Sequence, residues 1–166
     1  MTTYRYAPPA IDFSRFPEDD GEPMAETTAN RVQMTNLIFA FEQMLAPRGR
    51  VNVGGNLLMY YNPESGWDHV SPDVYVAFDV EPGMRRKWLA WEEGKFPEIV
   101  FEISSESTVD VDLGEKRDLY ARLGVQEYYL FDPQREMHPR FQCFFRGGDR
   151  LMPVPIAADE RVHSPL

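Results

Sequence analysis

Residues 97–131, PEIVFEISSESTVDVDLGEKRDLYARLGVQEYYLF, give the clearest indication of the fold because their pattern changes twice. Residues 97–104 and 127–131 are rich in β-branched and aromatic side chains, which is typical of strands. Between them, apolar residues recur at helical spacing over 109–123, and Gly124 follows as a C-cap. A strand–helix–strand unit of this kind predicts a parallel strand pair inside a mixed sheet.

The remaining elements are predicted on either side of this unit. A helix is predicted over 28–46, where Thr27 or Thr28 can cap the start and Pro47 ends it. Strand patterns come next, and they lie at 51–61, 74–78, 87–91, 141–145 and 151–156. The last two are predicted to form a hairpin around Gly147-Gly148. The order helix, strands, helix, strands predicts an α/β fold.

Residues 1–28 are predicted to form an N-terminal arm, and residues 29–166 a single domain. Four prolines and a cluster of acidic residues in the arm oppose a packed element. Aromatic residues such as Tyr4 and Phe16 could still dock the arm on a surface. The length of 166 residues suits one domain of ordinary size.

The amino-acid composition excludes some classes of function. The chain is 43% hydrophobic and 13% aromatic, which is enough for a sizeable core. Its formal net charge of −10 argues against a protein that grips nucleic acid through overall positive charge. That charge is still compatible with an enzyme that binds phosphate through metal ions. The single cysteine, Cys143, excludes an internal disulfide and a Cys-rich zinc site.

Targeting features of the sequence predict a cytoplasmic protein. No apolar run approaches the ~20 residues that are needed to cross a bilayer. The first residues lack the apolar stretch of a signal peptide. We therefore expect no membrane partner.

Glu102 is the most informative residue because it lies inside an apolar strand pattern. Alternation along the strand places its side chain on the same face as Val100. An ionised carboxylate is costly at such a position unless it is paired or binds a metal. The alternative is an edge strand whose second face contacts water.

Asp73 and Lys116 also have unusual positions. Asp73 precedes the strand pattern 74–78, where an acid can point into a cleft, although Pro-Asp is also common turn chemistry. Lys116 lies on the apolar stripe of the second helix, with Tyr120 one turn later. The alternative for Lys116 is an ammonium that reaches past its neighbours to water.

Together these three residues form a chemical set. Two acids on adjacent strands can hold a divalent cation through oxygen ligands, as Mg²⁺ prefers. A lysine that faces them can orient a nucleophilic water or stabilise negative charge on a phosphate.

Several motifs resemble those of the Uma2 family, which is also called DUF820 and is assigned to the PD-(D/E)XK superfamily of endonucleases. The matching residues are Ser71-Pro72-Asp73, the run 98–108, Asp112, Lys116, Tyr120 and the run 124–133. The resemblance covers residues 20–155, approximately. It implies a restriction-endonuclease-like core, in which helices flank a mixed β-sheet with about four central strands.

The resemblance also implies roles for individual residues. Asp73 matches the metal-binding acid, and Glu102 matches the acid of the E-x-K element. Ser104 stands where the superfamily normally has a lysine. Lys116 matches a lysine on the following helix that takes the role of this missing lysine in Uma2-like chains. Asp20-Gly21-Glu22 resembles a Gly-Glu segment, which makes Glu22 a weaker candidate for a metal or water contact. Ser104 and Tyr120 are further weaker candidates for lining the site.

Three functions are compatible with the sequence. The first is a DNA endonuclease that depends on Mg²⁺, or on Mn²⁺, and acts as a homodimer because enzymes that cut both strands often pair their sites. The second is a catalytically silent binding module on the same fold. The third is a metal-dependent hydrolase of another phosphodiester. The set of Asp73, Glu102 and Lys116 favours the first, whereas the acidic charge slightly favours the second.

Overall fold

A computed structural model of the chain describes residues 12–18, 27–136, 139–157 and 161–166. The helices are α1 (Thr28–Leu45), α2 (Ala90–Glu93), α3 (Val109–Val111) and α4 (Arg117–Leu123). The nine strands that these residues contain are β1 (Val51–Gly54), β2 (Met59–Tyr60), β3 (His69–Val70), β4 (Val74–Phe78), β5 (Trp88–Leu89), β6 (Ile99–Ile103), β7 (Glu127–Phe131), β8 (Phe141–Gly147) and β9 (Arg150–Val154). A π-helical turn, Asp112–Lys116, joins α3 to α4.

The main sheet has six strands in the order β1-β4-β6-β7-β8-β9. Strands β6 and β7 pair in parallel, and the other neighbours pair antiparallel. The predicted α/β fold with a mixed sheet flanked by helices is therefore confirmed. Strand β6 lies inside the sheet and all five of its residues are buried, so the edge-strand alternative for Glu102 is wrong.

The two faces of the main sheet bury different partners because side chains alternate along each strand. On one face, Val76 and Phe101 pack with apolar residues of α1, including Ile38. On the other face, Val100 and Leu130 pack in a cluster that includes residues of α4. Glu102 shares this second face with Val100, so the strand directs its carboxylate toward α4.

The region 51–61 differs from its prediction as one strand. The chain leaves the main sheet after β1 and enters a separate three-stranded sheet, with the order β3-β2-β5, at β2. Gly55 lies at this crossing, and a Cβ there would come within 1.9 Å of the carbonyl oxygen of Asp73. Only glycine permits so close an approach, and the approach brings the two segments together beside Asp73.

Most of the other predicted elements are confirmed, but in the predicted strand 87–91 only Trp88–Leu89 is strand, and residues 90–91 begin helix α2. Helix α1 begins after Thr27, whose hydroxyl accepts a hydrogen bond from the Asn30 amide, and it ends one residue before the predicted limit. Helix α4 ends at Gly124 with a φ of 95°, as the C-cap prediction requires. The terminal hairpin turns at Gly148, with a φ of 69°. The predicted helix 109–123 is not uniform, because the π turn interrupts it.

The described part of the arm packs on the small sheet of its own chain. Phe16 is 1% exposed and packs with Tyr60 and Trp91. The ammonium of Lys87 donates to the carbonyl oxygens of Phe13 and Phe16. The docking expected of the arm's aromatic residues thus occurs at Phe16, while the domain boundary at residue 28 stays a prediction. Among the described residues, no helix combines the length and apolarity that a membrane crossing needs.

Candidate active site

Asp73 and Glu102 lie opposite each other where β4 begins and β6 ends. The antiparallel register pairs Val74 with Phe101, and one further step of this register places Asp73 across from Glu102. Residues opposite each other in such a pair project from the same face. The Asp73 Oδ2 atom accepts a hydrogen bond of 2.7 Å from the amide of Ile103, which ties the carboxylate to the end of β6. The structure therefore brings the two predicted acids together.

Glu102 is 2% exposed, and its two carboxylate oxygens have different partners. The hydroxyl of Tyr120 donates to Oε1 at 2.6 Å, and the ammonium of Lys116 lies 3.1 Å from Oε2. Burial raises the pKa of Glu102 to about 8, because the attraction of Lys116 only partly offsets the loss of solvation and the repulsion from Asp73 and Asp112. A cation in this place would favour the ionised carboxylate.

Lys116 reaches the site rather than bulk water. Its ammonium contacts Glu102 and also lies 3.1 Å from Oδ1 of Asp112, and the side chain is 30% exposed. Burial by itself would lower the pKa of Lys116, but the carboxylates of Glu102 and Asp112 outweigh it and hold the pKa above its ordinary value. Lys116 therefore stays charged at neutral pH, so it can stabilise negative charge but cannot accept a proton.

Asp112 is a site residue to which sequence reasoning gave no role. It is 2% exposed, and its Oδ2 accepts a hydrogen bond of 2.6 Å from the hydroxyl of Ser104, which is fully buried. A signal was available, because Asp112 precedes Lys116 by four residues and such pairs meet on a helix. The structure thus places the weaker candidate Ser104 next to an acid that contacts the predicted lysine.

The π turn holds Asp112 and Lys116 at this position. It contains Gly114, a residue type that weakens regular helix. The carbonyl oxygen of Asp112 accepts a hydrogen bond of 3.0 Å from the hydroxyl of Tyr128 on β7. Because π turns inside helices are frequent at functional sites, this irregularity supports the importance of the segment.

The weaker candidates have distinct surroundings. Tyr120 is fully buried, and burial and the neighbouring carboxylate of Glu102 raise its pKa well above the ordinary value, so it keeps the proton that it donates. Thr108 caps the turn after β6 by accepting a hydrogen bond from the amide of Ser105. Glu22 lies outside the described residues, and its contact with metal or water stays a prediction.

The oxygen donors of the site fit a magnesium-type ion better than zinc. The carboxylates of Asp73 and Glu102 are hard donors, and Mg²⁺ is often bound by one or two carboxylates while it keeps several waters. Within the described residues, no group of three or more His, Cys, Asp or Glu side chains is arranged to hold a metal. A cation held here by protein would therefore depend on these two acids and on water or substrate oxygens.

Arg85-Arg86-Lys87 form a basic stretch beside Trp88, and this stretch makes mainly structural contacts. The guanidinium of Arg85 pairs with Glu93 and lies over the ring of Trp88. The ammonium of Lys87 binds main-chain carbonyl oxygens of the arm. These contacts favour a role of the stretch in the fold over one in binding nucleic acid.

Comparisons with known proteins agree with the fold and identify the family. The Uma2 family, described as "Putative restriction endonuclease", matches residues 11–166. A crystal structure of a "putative nuclease belonging to DUF820", from Anabaena variabilis ATCC 29413, is similar with a TM-score of 0.50 and 19% identity. The match covers 89% of this chain and 85% of that one, and at this identity it shows the fold alone. No protein of curated function matches the sequence.

Proposed function

We propose that this chain, which belongs to the Uma2 family, is a metal-dependent endonuclease that hydrolyses phosphodiester bonds in DNA. The observation that carries the proposal is the ion pair of 3.1 Å between Lys116 and the buried carboxylate of Glu102, next to Asp73. Two acids and one charged lysine in a single place match what phosphodiester hydrolysis needs.

Each residue has a separate role in this proposal. Asp73 and Glu102 would hold Mg²⁺, or Mn²⁺ in its place, and a bound ion of this kind supplies Lewis-acid activation and a local positive field. Lys116 stabilises the negative charge that develops on the phosphate, because it stays protonated. Tyr120 orients the Glu102 carboxylate through its hydrogen bond of 2.6 Å.

The net charge of −10 makes a positive ion important for approach to DNA. An acidic surface repels phosphate, so positive charge has to be supplied locally at the site. The same acidity also favours the second candidate, a catalytically silent binding module on this fold. A hydrolase of another phosphodiester would use the same three residues, and it differs from the first candidate only in its substrate.

A homodimer is the expected assembly of this enzyme. Helix α1 exposes Val32, Phe39 and Met44, of which Phe39 is 63% and Met44 64% exposed. Exposed apolar side chains on one helix suit an isologous contact with a second copy. Light scattering at micromolar concentration should give the mass of a dimer, and the mass of a monomer would contradict this part of the proposal.

Cleavage by the pure protein tests the proposed activity. Supercoiled plasmid and single-stranded DNA are incubated with Mg²⁺, Mn²⁺ or a chelator. A small phosphodiester without bases tests the alternative substrate class. We expect cleavage of DNA with metal, none with chelator and none by Glu102→Gln. The matched control is Glu81→Gln, at an exposed position beyond the opposite end of β4, which should cleave normally. Absence of cleavage under every metal condition would favour the binding module.

A further inference from the structure

We propose that Asp112 is a positioning residue that, together with Ser104, forms a clamp holding the Lys116 ammonium against Glu102. The catalytic consequence of this clamp rests on the proposed function. The clamp itself is a feature of the folded chain and can be tested without cleavage.

The clamp is a continuous series of contacts that joins three buried side chains to the partly buried ammonium of Lys116. The hydroxyl of Ser104 donates to Asp112 Oδ2 at 2.6 Å, and the other oxygen of Asp112 lies 3.1 Å from the Lys116 ammonium. That ammonium in turn lies 3.1 Å from Glu102. Lys116 is thus held between two carboxylates, only one of which belongs to the predicted metal site.

Both ends of the clamp are anchored to strand β7. The amide of Ser104 donates to the carbonyl oxygen of Phe131 at 2.9 Å. The hydroxyl of Tyr128 donates to the carbonyl oxygen of Asp112 at 3.0 Å. Because the main chain is fixed on both sides, the carboxylate of Asp112 has a defined position relative to the sheet.

Burial makes Asp112 dependent on its partners. A carboxylate that is 2% exposed is costly unless it is hydrogen-bonded and paired. Its Oδ1 atom makes no hydrogen bond of good geometry, so the ammonium of Lys116 is the group that compensates its charge. The reverse also holds, since Lys116 has a long flexible stem and a single carboxylate would restrict it less than two.

The clamp gives a physical reason for serine at position 104. Its hydroxyl, at a fully buried position, supplies the donor that fixes Asp112. Ser104 is therefore part of the device that holds the lysine, although it provides no positive charge itself.

Competitive acylation of lysines tests the clamp directly. The metal-free full chain is treated at fixed pH with a limiting amine-reactive ester, and the modified peptides are quantified by mass spectrometry. The chain has three lysines, so Lys87 and Lys95 serve as internal references. We expect Asp112→Asn to raise the labelling rate of Lys116 about fivefold relative to Lys95, as expected for the loss of one charge-assisted contact.

Two further variants keep this test decisive. Ser104→Ala should also raise the labelling rate of Lys116, but by less than Asp112→Asn does. It provides a second test of the clamp if Asp112→Asn fails to fold. Asp118→Asn is the matched control because its side chain is 65% exposed on α4, and it should leave Lys116 labelling unchanged. Unchanged labelling of Lys116 in both clamp variants, with normal melting curves, would overturn the proposal.

A second readout separates positioning from metal binding. We expect Asp112→Asn to slow DNA cleavage at least tenfold while its affinity for Mn²⁺, measured by calorimetry, stays within threefold of the unaltered chain. An equal loss of Mn²⁺ affinity would make Asp112 a metal ligand and would overturn the clamp. If the unaltered chain cleaves no DNA with any metal, the proposed function fails, whereas the labelling result still decides on the clamp.

Discussion

Two buried glutamates on adjacent strands show how the two faces of the sheet differ. Glu127 on β7 is fully buried, and it accepts hydrogen bonds from neutral groups, the hydroxyls of Tyr129 and Ser164 and the amide of Leu166. Glu102 on β6 is buried to a similar degree but lies near an ammonium and two further carboxylates. The first environment satisfies an anion by itself, whereas the second leaves excess negative charge that a cation could balance.

Burial alone therefore does not mark a catalytic acid. Glu127 shares its face with the aromatic cluster under α1, and its carboxylate ties residues 164–166 to the sheet. Glu102 points to the α4 side, where the π turn brings in Lys116 and Asp112. The partners of a buried acid, rather than its exposure, separate a structural role from a chemical one.

Among substitutions on the Glu102 side of the sheet, those of Lys116 should have the largest effect on the rate of cleavage. Lys116→Met should reduce cleavage by about a thousandfold, since it removes the charge that stabilises the transition state. Metal affinity should change little, because Asp73 and Glu102 remain. Lys116→Arg should also cleave poorly, because a planar guanidinium does not replace a compact ammonium.

The control for Lys116 is Lys95→Met. Lys95 pairs with Glu98 at the other end of β6, so its loss should not affect cleavage. Initial rates of plasmid nicking measure both changes. Full activity of Lys116→Met would mean that the catalytic assignment of this residue is wrong.

Exchanging each buried glutamate for glutamine should separate activity from stability. Glu102→Gln should lose cleavage and remain as stable as the unaltered chain, or more so, at alkaline pH. Glu127→Gln should keep its cleavage rate per folded molecule but lose about 1–3 kcal/mol in free energy of unfolding, because a hydrogen-bonded buried anion loses an acceptor. Urea unfolding and nicking rates, measured on the same preparations, test both. Loss of specific activity in Glu127→Gln would show that Glu127 also contributes to cleavage, and the proposed difference between the two glutamates would then be wrong.

The sequence was informative where patterns are local and strong. The parallel pair β6–β7 and the helix end at Gly124 follow from periodicity and capping, and the helical stripe correctly directs Lys116 to the sheet. The small sheet was not predicted as a separate sheet, because its strands have two residues each, too few to show alternation. Strand β2 lies inside the predicted strand 51–61 and β5 inside 87–91, whereas β3 has no predicted counterpart. The stretch 51–61 was predicted as one strand because the close approach of Gly55 to Asp73 depends on tertiary contacts.

Local patterns also explain which residues of the site could be predicted from the sequence. Glu102 and Lys116 break local apolar patterns, which makes them visible in the sequence. Asp112 follows two valines and an aspartate in a segment whose π geometry changes which side chains meet, so local pattern gave it no special weight. Its hydrogen bond with Ser104 joins the residue after β6 to the π turn, and only the folded chain shows it.

The raised pKa of Glu102 predicts a smaller effect, on stability against pH. Without metal, the folded state binds this proton more tightly than the unfolded state, since burial raises the pKa from 4.5 to about 8. The resulting stabilisation is complete below about pH 4.5 and is lost as the pH rises through about 8. Thermal unfolding in chelator at pH 5.5 and 8.5 should therefore show a larger difference for the unaltered chain than for Glu102→Gln. An equal difference in both proteins would show that Glu102 is ionised throughout.

Direct titration with Mn²⁺ tests the central claim, that the environment of Glu102 is built for a cation. Calorimetry on the unaltered chain should show Mn²⁺ binding that Asp73→Asn and Glu102→Gln each weaken by at least tenfold. Glu127→Gln, which alters an equally buried carboxylate on the other face, should bind as the unaltered chain does. Unchanged Mn²⁺ binding in Glu102→Gln would contradict the account.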